Sequence, residues 1–397
     1  MRARWTFASL LGALALIAAC ASKDGSSERD SSAPAGDTGT MDGARALDAA
    51  SQGDADLGAV FDDAGTATPD SGIEVDGGST DGSTPSDAGA DDASDTQDTG
   101  PRVDGSAVDA SIVDGGAGPY DRAGPLTVTH VSIPVTGGSR PFSVDVYLPS
   151  SAGPHPVVSL SPGLQQTTAG YVSYAERLAS HGIITVMRDD PGLRVDTTVV
   201  TADIAHVVMT WLAAQSSDSQ SVLYNQVDLT RVGLAGHSRG GKASLIAAEA
   251  PLLGRVRAWF GIDPVDSAVL AGGVQARTNL ATVGVPTAFL GASVSGTCSP
   301  AADNYAVLFA AAPAPSVQIV AIDAGHVQFE DPSGCSLCNL CTPNGTADSA
   351  VVLAYSVRYL TAFFARELLG DRSVGAAFEG AGATEDIAAG RTTLTTK

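Results

Sequence analysis

The chain has 397 residues and a formal net charge of −22, from 44 Asp and Glu against 22 Lys and Arg. Residues 21–118 alone hold 22 acidic and four basic residues, so −18 of the total lies there. This distribution excludes a single globule of uniform composition, and it excludes reading the acidity as the signature of a substrate site.

The chain starts with Arg2 and Arg4, followed by a short apolar run, Ala8 to Ala19. Such a run is too short to span a bilayer and reads as an export signal. It ends Leu16-Ile-Ala-Ala-Cys20, which resembles the lipobox of bacterial lipoproteins and makes Cys20 the expected lipidation site. Three acyl chains, at about 0.8 kcal/mol per buried CH₂, anchor firmly. Residue 21 is Ala, not Asp, and the lipoprotein sorting rule then implies the outer membrane or cell surface. Residues 21–118, with runs such as "DGGSTDGSTPSDAGADDASDTQDTG", offer little to bury and are expected to form a disordered acidic tether.

Residues 119–380 read as the folded domain. "LTVTHVSIPV" and "PFSVDVYLP" alternate apolar and polar residues around "TGGSR", a hairpin signal. Beyond them the pattern becomes β, α, β: "HPVVSLSPG" and "IITVMRDD" as strands around the helical "GYVSYAERLASHG", then the helical "VVTADIAHVVMTWLAAQ". "RVGLAGHS" leads into the helical "RGGKASLIAAEA"; "VRAWFGIDP", "VPTAFLGAS" and "VQIVAIDAG" are three further strands, and a long amphipathic helix covers 347–370. Apolar strands alternating with helices predict an α/β fold: a mostly parallel sheet with helices on both faces and an antiparallel N-terminal hairpin at its edge. Residues 381–397 are expected to form a flexible tail.

Gly236-His-Ser-Arg-Gly240 falls between a predicted strand and a predicted helix. That is the setting of a nucleophile elbow, where a tight turn lifts the hydroxyl of Ser238 off the sheet. A serine hydroxyl needs a base to take its proton. His326 follows the last predicted parallel strand by one turn, and no other His follows a late strand. The base needs a carboxylate to hold its tautomer, and Asp263 stands at the end of "WFGID", ahead of Asp266 and Asp303. Main-chain amides of Arg239 and Leu164 are the expected oxyanion donors, the second from the turn "PGLQQ". Lys242 and Arg239 read as a solvated helix face or as salt-bridge partners.

"GHSRGGK", "FGIDPVD" and "GHVQFED", in that order, resemble the chlorophyllase family of α/β-hydrolases across residues 130–370. Polyester- and platelet-activating-factor-type hydrolases share the architecture. The resemblance implies an α/β-hydrolase fold, ester chemistry, no cofactor and no metal, with Ser238, Asp263 and His326 as the triad. One departure is Ser161-Pro162-Gly163, where the family carries His-Gly; Pro162 has no amide to donate, but Leu164 retains one.

If Cys20 is lipidated, four cysteines remain: Cys298, Cys335, Cys338 and Cys341. In an exported protein they are expected to form two disulfides of open pairing rather than a metal site, stapling the loop after His326. The expected function is a membrane-anchored serine carboxylic ester hydrolase. Its expected partners are an ester substrate and a membrane, the latter reached through Cys20, and no nucleic acid. The competing expectations are a non-catalytic surface-binding lipoprotein on the same fold, and a polyester- or lipid-directed hydrolase.

Overall fold

A computed structural model describes residues 120–188, 196–268, 274–332, 338–374 and 381–397. The expected signal, Cys20 and the tether lie outside these residues. The described strands form one nine-stranded sheet of order β1-β2-β4-β3-β5-β6-β7-β8-β9. They are β1 (Val128–Val135), β2 (Phe142–Pro149), β3 (His155–Ser161), β4 (Ile184–Arg188), β5 (Val227–His237), β6 (Val256–Ile262), β7 (Thr287–Ala292), β8 (Ser316–Ala321) and β9 (Thr392–Thr396). The β1–β2 hairpin is antiparallel and β2 joins β4 antiparallel. From β4 through β3, β5, β6 and β7 to β8 every pairing is parallel.

Parallel strands are buried on both faces, and all seven residues of β3 are buried. Side chains alternate between the faces: Trp259 and Phe289 point to one core, Phe260 and Leu290 to the other. Helices α1 (Val172–Ser180) and α6 (Ser349–Phe364) cover the second core with Tyr174, Leu178, Leu360 and Phe364. The first core lies under α2 (Thr197–His206), α4 (Ser238–Glu249) and α5 (Tyr305–Ala311). Helix α2 runs through a π turn, Val207–Trp211, into α3 (Leu212–Ser217). The stretch Thr197–Ser217 is long and apolar enough to cross a membrane, but more than half of it is buried, as befits a core helix. Strand order, parallel centre and two helical layers make this the α/β-hydrolase fold.

The tail differs from expectation. Residues 381–397 form α7 (Ala381–Ala388) and β9, which closes the sheet antiparallel to β8. The segment "TTLTT" is short and polar, and its pairing partner lies about 75 residues upstream, beyond local pattern reading. Leu394 packs against the second core, and Asp386 is buried, accepting from Arg358, Tyr359 and Arg391. A chain ending at residue 390 is expected to lose about 5 °C in Tm, because the β8 ladder and Leu394 burial both go. A calorimetric Tm identical to that of the full chain would show that β9 adds nothing.

Candidate active site

β5 ends at His237 and α4 begins at Ser238, so the two elements meet with no linker. Ser238 adopts φ +54°, a left-handed conformation costing on the order of 1–3 kcal/mol for a residue with a Cβ. Two neighbours must be glycine for the turn to close. A Cβ on Gly236 would lie 2.4 Å from the Gly240 carbonyl, and one on Gly240 would lie 2.2 Å from the oxygen of Ser161. The Gly-x-Ser-x-Gly spacing thus follows from the close approach of helix, strand β3 and turn.

Ser238 Oγ lies 2.9 Å from Nε2 of His326, 88 residues later. His326 Nδ1 lies 2.6 Å from Oδ2 of Asp263. Asp263, fully buried at φ +35°, follows β6 directly. Its second oxygen accepts from the amide of Ala292 at 3.0 Å, and its own amide donates to Leu290 at 2.6 Å. The carboxylate is therefore fixed from β7 on one side and points at the imidazole on the other. The structure brings together the three residues singled out in the sequence.

Gly163 sits against the same turn: a Cβ there would be 3.1 Å from His237 Nδ1 and 3.5 Å from Ser238 Cβ. Its amide donates to Tyr171 Oη at 3.2 Å, which leaves Leu164 as the next main-chain donor along the turn. Gln166 closes that turn by donating to Gly163, with Gln165 at φ +60°. Arg239 is the second residue of α4, within the first turn of amides that have no intrahelical acceptor.

The loop carrying His326 is pinned to α1 and the turn before it. Tyr174 Oη donates to the Phe329 carbonyl at 2.7 Å, Ser173 N to Asp331 at 2.9 Å, and Asp331 N to Gly170 at 2.9 Å. Glu330, also buried, is pushed up to about 8 by desolvation and then by Asp331. His237 is held well below its ordinary value by burial and by His326, so it stays neutral.

Arg239 and Lys242 are not on a solvated face; both are buried. Lys242 Nζ donates to Ser267 O at 2.8 Å and lies 3.6 Å from Asp266, holding the segment just past Asp263 against α4. Burial, and then nearby Arg188, pushes Arg239 down to about 10. Tyr171, Ser173, Asp331 and His237 escaped the sequence reading because the Tyr171–His237 and Ser173–Asp331 contacts span 66 and 158 residues and no local pattern marks them. The one available signal was His237 itself, a polar residue at the end of an apolar strand.

Cys298 and Cys341 form a disulfide with Cα atoms 5.1 Å apart. Cys335 and the side chain of Cys338 lie outside the described residues. The bridge joins the stretch after β7, which holds Asp263, to the stretch beyond the His326 loop.

A family model for chlorophyllase matches residues 121–348. The chain belongs to the chlorophyllase family. Within it, this chlorophyllase-family protein is also similar to curated cutinases. It is 27% identical to cutinase 2 of Thermobifida cellulosilytica over 175 residues, 44% of the chain and 60% of that protein. It is likewise 27% identical to cutinase cut1 of Thermobifida fusca over 175 residues, covering 44% and 50%, and to cutinase est2 of Thermobifida alba over 132 residues, covering 33% and 42%. The chain thus spans about half the length of the curated relatives it matches.

Replacing Cys298 and Cys341 together by Ser is expected to destabilise the family member by about 2–4 kcal/mol, from the loop of 43 residues that the bond closes. Denaturant midpoints of the two proteins check this. Equal midpoints would show that the backbone contacts alone, such as Thr297 N to Thr342 O at 2.8 Å, hold the two stretches together.

Proposed function

We propose that this protein is a serine carboxylic ester hydrolase working through an acyl-enzyme. The observation that carries the reading is the continuous contact from Ser238 Oγ through the His326 ring to Asp263, at 2.9 and 2.6 Å. Membership of the chlorophyllase family and likeness to proteins named cutinases support ester bonds as the target.

Each residue has a defined task. His326 Nε2 takes the proton as Ser238 Oγ attacks the ester carbonyl. Asp263 fixes the ring with Nδ1 protonated and offsets the positive charge that forms. The amides of Leu164 and Arg239 receive the developing oxyanion, helped by the positive end of α4. The imidazolium then protonates the leaving alcohol, and a water activated by the same imidazole releases the acid. No step calls for a metal or an organic cofactor.

Two features support an exported, lipid-anchored setting for this chemistry: the Leu-Ile-Ala-Ala-Cys20 sequence and the Cys298–Cys341 bond, which belongs to oxidising compartments. The acidic stretch 21–118 then serves as the link between a membrane anchor and the catalytic domain.

Ser238→Ala is expected to lower turnover of short p-nitrophenyl esters by about 10⁴-fold or more, with an unchanged circular dichroism spectrum. Turnover equal to that of the natural protein would end the assignment.

A further inference from the structure

The elbow residue His237 is absorbed by no step of the mechanism, yet it is 1% exposed and touches both other loops of the site. Its Nδ1 lies 2.8 Å from Tyr171 Oη, and its Nε2 lies 3.1 Å from the main-chain oxygen of His326. Tyr171 Oη in turn accepts from the amide of Gly163.

The directions of these bonds follow from the atoms. A carbonyl oxygen only accepts, so His237 Nε2 carries the proton. With its proton on Nε2, the neutral ring leaves Nδ1 as an acceptor, so the Tyr171 hydroxyl donates to it while accepting from Gly163. The result is one unidirectional chain: Gly163 N–H to Tyr171 Oη, Tyr171 O–H to His237 Nδ1, His237 Nε2–H to His326 C=O. Hydrogen bonds in such chains polarise and strengthen one another. Nδ1 also lies 3.4 Å from Glu330 Oε1, so the ring is enclosed by polar groups as well as by the 4.7 Å approach of the His326 ring.

Other main-chain and side-chain bonds hold the base loop at neighbouring residues: Val294 N donates to Ala324 O at 3.0 Å, Gln328 Nε2 to Ala347 O at 2.6 Å, and Tyr174 and Ser173 reach Phe329 and Asp331. The His237 bond acts on the main chain of residue 326 itself. Likewise Tyr171 acts on Gly163, one residue before the amide assigned to the oxyanion. We infer that His237 and Tyr171 are a positioning pair that ties the oxyanion turn to the general-base loop, setting the distance at which both face Ser238. The inference rests on the ester-hydrolase reading above and assigns neither residue a role in bond making or breaking.

The test is steady-state kinetics on a short p-nitrophenyl ester for Tyr171→Phe, His237→Leu, His237→Gln and the double variant Tyr171→Phe/His237→Leu, each with its Tm. Tyr171→Phe deletes one hydroxyl and keeps the ring, so it guards against a variant that fails to fold. It is expected to lower kcat about tenfold and His237→Leu about 100-fold, with KM within about twofold, as slight misplacement of reacting groups does. His237→Gln, whose amide can donate where Nε2–H does, is expected to recover most of that loss. The double variant is expected to be no worse than His237→Leu alone, because both break one chain. A kcat for folded Tyr171→Phe within twofold of the natural protein, losses that multiply in the double variant, or a change confined to KM would each overturn the pairing while leaving the esterase reading intact. Ser238→Ala measured alongside separates the two: undiminished turnover there would overturn the esterase reading and the pairing with it.

Discussion

The contact between Ser238 Oγ and His326 Nε2 joins residues 88 positions apart, and the rest of the molecule can be understood as what keeps it at 2.9 Å. A neutral hydrogen bond of this kind contributes about 1 kcal/mol net, far less than the conformational entropy of ordering two loops. The contact therefore cannot hold its own loops in place. The parallel centre of the sheet does that work, because β3, β5, β6 and β8 all release their chains at the same rim. Each loop then has only a few residues to travel before its polar side chain meets the others.

Close approach at that rim has backbone consequences. Ser238 and Asp263 both occupy left-handed conformations, and Gly236 and Gly240 leave no room for a Cβ. The strain is held by surrounding bonds: Val265 N to Ser238 O, Asp263 N to Leu290 O, and Lys242 to the segment beyond Asp263. Under the ester-hydrolase reading, this arrangement presents the hydroxyl, the imidazole and the main-chain donors before substrate arrives, which is what electrostatic preorganisation requires. The buried polar groups around the site are costly alone and stabilising only when satisfied together, so the loops are expected to move as one unit rather than separately.

Much of this was legible in the sequence because it is written in local patterns. Apolar runs marked β3 to β8, alternation marked the β1–β2 hairpin, and strand ends followed by Ser238, Asp263 and His326 marked the residues that converge. The unread parts depend on distant pairing. β9 is five residues of mostly threonine whose partner strand lies far upstream, and the Tyr171–His237 contact spans 66 residues between side chains with no periodic signature. Lys242 read as a solvated helix residue or a salt-bridge partner; it is the latter, and its burial was not visible locally because Asp266 comes from the next strand's exit loop. Composition could not single out Cys341 as the partner of Cys298, since pairing is a matter of which loops the fold brings together.

The claim at the centre is that the hydroxyl of Ser238 is activated by the imidazole of His326. The rate of covalent labelling by a fluorophosphonate, with the modified residue located by peptide mass, tests it most directly. The account predicts a single adduct on Ser238 whose rate of formation falls by about 10²-fold or more in His326→Ala. An adduct on another residue, or a labelling rate indifferent to the loss of the imidazole, would contradict it.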